Sequence, residues 1–198
     1  MTKTTRFLPA IVGAACGALT FAALAAPVTY NIDSAHTYPT FEADHLGGLS
    51  FWRGKINSTS GTVTLDKEAQ TGTVEITMDM NSIDFGHDGL NDHAKTPDIF
   101  DTAQFPTATY TGRLTSFEDG APTMVEGELT LHGVTQPVNL AVESFLCKEH
   151  PMMMREVCGA DATAEIDRSD FGVTIGQPMF NMGVTLRISI EAVVPPES

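Results

Sequence analysis

The sequence predicts an all-β fold, an antiparallel barrel or sandwich of about eight strands. Three observations carry that prediction. After residue 27, apolar and polar residues alternate with a period of two in one segment after another. Those segments are rich in Thr, Val and Ile, residue types that fit a pleated, half-buried surface. Gly, Pro, Asn and Asp separate them as turn residues. Strands with one apolar face each must enclose a common interior, as a closed barrel or as two stacked sheets.

The elements follow in chain order. The opening thirty residues, "MTKTTRFLPAIVGAACGALTFAALAAPVTY", start positive at Lys3 and Arg6 and continue apolar and small-residue from Phe7 to about Ala23. Ala23-Leu24-Ala25 fits the small-x-small cleavage rule. Residues 1–25 are therefore expected to be a secretory signal peptide, and 26–198 a single periplasmic domain. The apolar run is short for a membrane span and has no positive flank after it. "GTVTLD" (61–66) alternates at Val63 and Leu65. "TGTVEITMDMNSI" (71–83) puts Val74, Ile76, Met78 and Met80 on one face. Residues 85–101 lose the alternation and carry Gly, Asp and Pro breaks, which predicts a long crossover with one or two short helices. The later of these is expected to start near Thr96-Pro97, with Thr as cap and Pro in the first turn. Strand patterns resume at 107–117, 123–133, 136–147, 160–170 and 183–194.

Charge narrows the partners. Losing Lys3 and Arg6 takes the Lys+Arg count from 11 to 9 against 25 acids, and the formal charge from −14 to −16. Such a surface argues against nucleic acid and against electrostatic adsorption to anionic membranes. Cys16 leaves with the signal peptide, so Cys147 and Cys158 remain and read as one disulfide in an exported chain. The bracketed "CKEHPMMMREVC" also offers His150 and Met152, Met153 and Met154, soft ligands suited to copper(I). Adjacent side chains on a strand alternate sides, however, so the stapled loop is the expected reading. No zinc or calcium spacing is present, and neither a G-x-S-x-G elbow nor an H-E-x-x-H helix.

Five blocks in order carry a resemblance. "YNIDSAHTYPTFEADHLGG" (30–48) holds Asp33, His36, Phe41 and His45. "GKINSTSGTVTLD" (54–66) follows, and "SIDFGHDGLNDHAKTPDIFDTAQFPTATY" (82–110) carries His93, Phe100-Asp101 and Phe105-Pro106. "VEGELTLHGVTQPVNL" (125–140) and "IDRSDFGV" (166–173) complete the set. Together they resemble the YceI-like family of bacterial periplasmic proteins, a polyisoprenoid-binding domain. The resemblance implies an elongated, eight-stranded, lipocalin-like antiparallel barrel covered at one end by a short helical crossover. It implies a linear isoprenoid lipid as the bound ligand, a polyprenyl phosphate or isoprenoid quinone, and no other cofactor. Pro39, Ala43, the Cys147–Cys158 loop and "GQPMFNMG" (176–183) depart from the family pattern and put the size and head of that ligand in question.

The ligand-binding candidates are Phe41, His45, His36, His93, Phe100, Phe105, Tyr110 and Arg168. An imidazole can donate to a phosphate or quinone oxygen, or merely tie a loop to a strand. Phe41, Ala43 and His45 share one strand face, so if Phe41 faces the interior His45 does too. Arg168 would fork onto an anionic head or pair with Asp170. Trp52 beside Arg53 is a mouth-level aromatic or a surface cation–π partner. The expected function is binding, storage or transport of the lipid without turnover. Contact with the inner membrane or a membrane redox protein is expected, and a homodimer if the barrel mouth is apolar. The alternatives are a quinone-handling partner of a redox protein and a Ser/His hydrolase. For the latter, Asp33, Ser34 and His36 lie close in sequence, as do Asp92 and His93, while His87, Asp88 and Asp92 offer metal ligands.

Overall fold

Two bends decide how the strands are counted. The computed structural model describes residues 1–2 and 26–196, so the signal segment lies almost wholly outside the described residues. Its strands are β1 (Val28–Ile32), β2 (Tyr38–His45), β3 (Ser50–Ile56), β4 (Thr59–Asp66), β5 (Thr71–Asp79) and β6 (Ile83–Asp84). After helix α1 (Asp88–Ala94) come β7 (Thr107–Glu118), β8 (Ala121–Leu131), β9 (Val134–Pro137), β10 (Leu140–Glu149), β11 (Glu156–Asp167) and β12 (Gly183–Val193). β1 and β2 lie end to end along β12, paired at Asn31↔Val193 and at Phe41↔Leu186. β4 and β3 lie end to end along the other side of that bent pair. Counting each bent pair as one stave gives a closed antiparallel barrel of eight staves, with β5, β7, β8, β10, β11 and β12 completing the ring. The sandwich alternative is thereby removed.

The first bend is held by a side chain. Thr37 is almost fully buried. Its hydroxyl donates to the Glu191 carbonyl (3.2 Å) and accepts the Glu191 N–H (3.1 Å), so it stands in for a strand neighbour where β12 changes partner. The second stave breaks at Asn57–Ser58, between β3 and β4, and just beyond it Gly61 approaches β5 closely. Its φ is +139°, and a Cβ there would lie 2.0 Å from the Glu75 carbonyl oxygen, so only glycine permits this approach of β4 to β5. Pro39 sits where β2 pairs only with β12, since pairing to β3 starts at Thr40, which is where a missing N–H does least harm.

Several sequence expectations need correction. The stretch 136–147 is not one strand. It breaks at Val138–Asn139, where the Val138 N–H and the Asn139 side chain both bond to Gly127. Residues 168–171 form a 3-10 turn rather than the end of a strand, capped by the Asp167 carboxylate on the Ser169 N–H. The crossover has one helix, and it does not begin at Thr96-Pro97. It begins at Asp88, where the His87 ring accepts the Leu90 N–H (3.3 Å). Thr96 is engaged in ending that helix, because both its N–H and its hydroxyl donate to the His93 carbonyl. Ala94 is fully buried and docks α1 over the barrel end against Ile56, Met80, Ile83 and Ala108.

Cys147 and Cys158 are directly opposite on β10 and β11 and form the disulfide, with Cα atoms 4.0 Å apart. Two of the copper(I) candidates are engaged within the loop, Met153 Sδ accepting from the Arg155 guanidinium at 3.4 Å. The His150 Nδ1 accepts the N–H groups of Met152 and Met153, and Met152 and Met154 are exposed. Along β11 the inward side chains run Cys158, Ala160, Ala162, Ala164, opposite Ala192, Ile190, Ile188 and Leu186 of β12. This stripe of small side chains leaves the interior partly empty instead of close-packed.

Candidate ligand-binding tunnel

The empty interior is a cavity of about 520 Å³ whose wall is nearly all carbon. Six of the eight candidates line it: Phe41, His45, His93, Phe100, Tyr110 and Arg168. Phe41 and His45 both reach the wall, together with Ala43, as their shared parity requires. Phe41 fits because Gly54 faces it across β3. A Cβ on Gly54 would stand 2.5 Å from the Phe41 ring. Phe85 packs edge-on against the same ring at 5.4 Å. Tyr110 is buried, and its hydroxyl donates to the Val138 carbonyl at 2.9 Å. Burial pushes its pKa far up, so it stays a neutral donor.

Asp44, His45 and Arg168 gather at one end, while the Tyr30 phenol on the wall donates to Glu156 at the other (2.8 Å). His45 stacks on Trp52, with ring centres 4.4 Å apart and planes 16° from parallel, and Phe180 meets it edge-on at 5.3 Å. Trp52 is thus the mouth-level aromatic of the two readings. Arg53 turns outward to Glu42, 2.6 Å away, which also takes the Arg187 Nε at 3.0 Å. Asp44 accepts the N–H groups of Gly47, Gly48 and Asn181, and these bonds hold its carboxyl below the ordinary value. Arg168 does not pair with Asp170. Its guanidinium donates to the carbonyls of Val173 (3.0 Å) and Ile175 (2.6 Å), bracing the loop above the cavity. Burial pushes its pKa down, and the charges of Asp167 and Asp44 oppose that. Among the described residues it is the one lysine or arginine on the cavity wall. Deeper in, the Thr59 hydroxyl is buried on the wall with no partner in the protein.

Two candidates lie elsewhere. Phe105 packs edge-on against His132 (4.6 Å), outside the cavity, because the turn after the crossover swings it away from the interior. His36 is exposed in the bend between β1 and β2, bonded to Asp33 at 2.8 Å. The crossover trio His87, Asp88 and Asp92 gathers no ligand atoms. Among the described residues a grouping occurs instead at Asp33, His36 and Glu191. The sequence reading missed the Cys158–Ala164 stripe, Phe180 and Asp44. The stripe's signal was present as Ala at the first three of the four inward positions of "ADATAEI", with Ile166 at the last, but that pattern also reads as an ordinary strand.

The Asp33–His36 pair yields a pH prediction. Its hydrogen bond raises the His36 pKa above 6.5 and lowers that of Asp33 below 3.8. The stability gained is fully present between about pH 4 and 6.5. It is lost as pH falls through the lowered Asp33 value and as pH rises through the raised His36 value. In an NMR titration the His36 ring protons should titrate above pH 6.5 and return toward that value in Asp33→Asn. An unmoved midpoint would remove the pair as the cause.

A YceI-like domain model matches residues 30–194. Protein YceI of Escherichia coli is 32% identical over 184 residues, covering 88% of this chain and 95% of that protein. A UPF0312 protein of Vibrio vulnificus is 31% identical over 159 residues, covering 80% and 83%. Among solved structures, BcnA of Burkholderia cenocepacia aligns with a TM-score of 0.64 at 22% identity, over 81% of this chain and 99% of that one. A polyisoprenoid binding domain from Saccharophagus degradans, implicated in plant cell wall breakdown, aligns with 0.63 at 18% identity, over 85% and 99%. At these identities the two structures speak to the fold.

Proposed function

The chain belongs to the YceI-like domain family, and from that premise we propose that it binds a linear isoprenoid lipid, a polyprenyl phosphate or an isoprenoid quinone. The tail lies in the apolar tunnel, and the head rests at the end where His45, His93 and Arg168 line the wall. The protein stores or carries the lipid in the periplasm, after loss of residues 1–25, and exchanges it with the inner membrane without chemical turnover. One observation carries this reading: a carbon-lined cavity with Asp44, His45 and Arg168 of its wall at the end bounded by the 168–182 segment, while the Tyr30 phenol at the other end is bonded to Glu156. Removing an isoprenoid tail from water favours binding by about 25 cal/mol per Å². An imidazole and a guanidinium suit an oxygen-rich head. The relative from Saccharophagus degradans, described as a polyisoprenoid binding domain, supports the ligand class.

A quinone head is the second reading, favoured by the His45–Trp52 stack, which offers an aromatic face to a planar ring. The protein would then hand an electroactive lipid to a membrane redox protein. The test is native mass spectrometry of protein purified from a bacterial periplasm without detergent, followed by organic extraction. A stoichiometric polyprenyl phosphate or quinone is expected, and its mass and absorbance separate the two heads. The same spectrum reads the cleaved N-terminus and any homodimer. A ligand-free mass with no uptake of added isoprenoid would overturn the proposal.

A further inference from the structure

We propose that the rim formed by the β2–β3 hairpin tip and the 176–182 loop docks the tunnel mouth onto a lipid bilayer with neutral headgroups, an inference that rests on the lipid-binding reading above. Five exposed large apolar side chains lie on this rim. Leu49 is 73% exposed, Met179 65%, Phe51 59%, Leu46 45% and Trp52 38%. Single exposed apolar residues are ordinary, but five on one rim form a contiguous patch of the kind that marks an interaction surface.

The rim is continuous with the cavity. Trp52, Phe85 and Leu90 line both the tunnel and the shallow cleft that Phe51 borders. A tail leaving a bilayer along this path would meet Phe51, Trp52, Phe85 and Leu90, with Arg53 and His87 beside them. The hairpin tip is also held in place. Leu46, Gly47 and Gly48 take positive φ in succession, which projects Leu46 and Leu49 from the turn. The Asp44 carboxylate fixes that turn by accepting the Gly47 and Gly48 N–H groups, and ties it to the second loop through the Asn181 N–H.

Charge selects the occupant. No Asp, Glu, Lys or Arg occurs from Leu46 to Trp52 or from Phe171 to Leu186, in a chain with 25 acids and 11 bases. A basic partner would find the Asp44 carboxylate of this rim already engaged by the N–H groups of Gly47, Gly48 and Asn181. An anionic bilayer would be repelled by the formal charge of −14 on the chain as a whole. A neutral surface that accepts apolar side chains remains, and a zwitterionic bilayer is one.

Trp52 is the single tryptophan of the chain, so tryptophan emission reports on the rim and the adjoining tunnel mouth. The test adds isoprenoid-free phosphatidylcholine vesicles to the protein and records Trp emission and co-flotation, alongside the variant L49E/M179E. Neither substituted residue lies on the tunnel wall. We expect a blue shift and co-flotation for the wild type. The variant should float at least tenfold less, and vesicles rich in phosphatidylglycerol should bind more weakly. Uptake of a short, water-soluble isoprenoid should be equal in both proteins. Absent flotation of the wild type would overturn the docking, as would equal flotation of the variant or a dimer that buries the rim and excludes vesicles. Loss of isoprenoid uptake by both proteins with flotation intact would instead overturn the lipid-binding reading.

Discussion

Ala162→Phe should weaken binding of a long isoprenoid by about two orders of magnitude while the barrel stays folded. Ala162 lies in the middle of β11, paired with Val142 on one side and Ile188 on the other, and its methyl faces the tunnel. Ala160 and Ala164 flank it on the same face, so a phenyl ring has empty space along the stripe rather than a packed neighbour to displace. The ring would take the room of roughly four methylenes of tail. At ~0.8 kcal/mol per buried CH₂ that is ~3 kcal/mol, or about a hundredfold or more in Kd. Filling a void does not incur the strain of overpacking a dense core, so the thermal midpoint should hold or rise. Isothermal titration with a polyprenyl ligand, beside a thermal melt, reads both quantities. Unchanged affinity would place the tail elsewhere, and a lowered midpoint would mean that the stripe is packed and not hollow.

Removing the disulfide with Cys147→Ala and Cys158→Ala together should lower stability by roughly 3 kcal/mol, the chain-entropy expectation for a loop of about a dozen residues. For a domain of this size that corresponds to about 6–12 °C in Tm. Alanine is the right replacement because Cys158 is buried on the tunnel wall, where a serine hydroxyl would need a partner. Melting the wild type with and without dithiothreitol supplies the control. Reduction should bring the wild type close to the double variant and leave the variant unchanged. A loss well under 1 kcal/mol would mean that the β10–β11 ladder, not the crosslink, holds this end.

The strands were legible because their pattern is local. Val74, Ile76 and Met78 state their shared face within a few residues, and β5 follows from them. Closure was not legible in the strand pattern, which left barrel and sandwich open, because it depends on Asn31 meeting Val193; only the family resemblance implied it. The bend that separates β1 from β2 was equally hidden, since the Thr37 hydroxyl finds its partner at Glu191. That bend also explains why His36 and His45, equivalent as sequence candidates, part company. The stave turns between them, leaving one imidazole in solvent and carrying the other to the tunnel mouth. Arg168 lies on the tunnel wall, but its partners are main-chain carbonyls set by a loop conformation that no spacing rule gives. For Phe105, residue type was informative and direction was not.

The long closing ladder has a consequence for the order of events in the life of the chain. Thr37 and Glu191 are 154 residues apart, and β12 is the common neighbour of β11, β1 and β2. Contacts so distant in sequence form slowly, after local hairpins. While a ribosome is still adding the last strand, the β1/β2 stave has a neighbour on one side only, and the barrel stands open. For a chain proposed to thread through an export channel before folding, late closure is an advantage: the polypeptide remains extended until its final strand arrives on the far side.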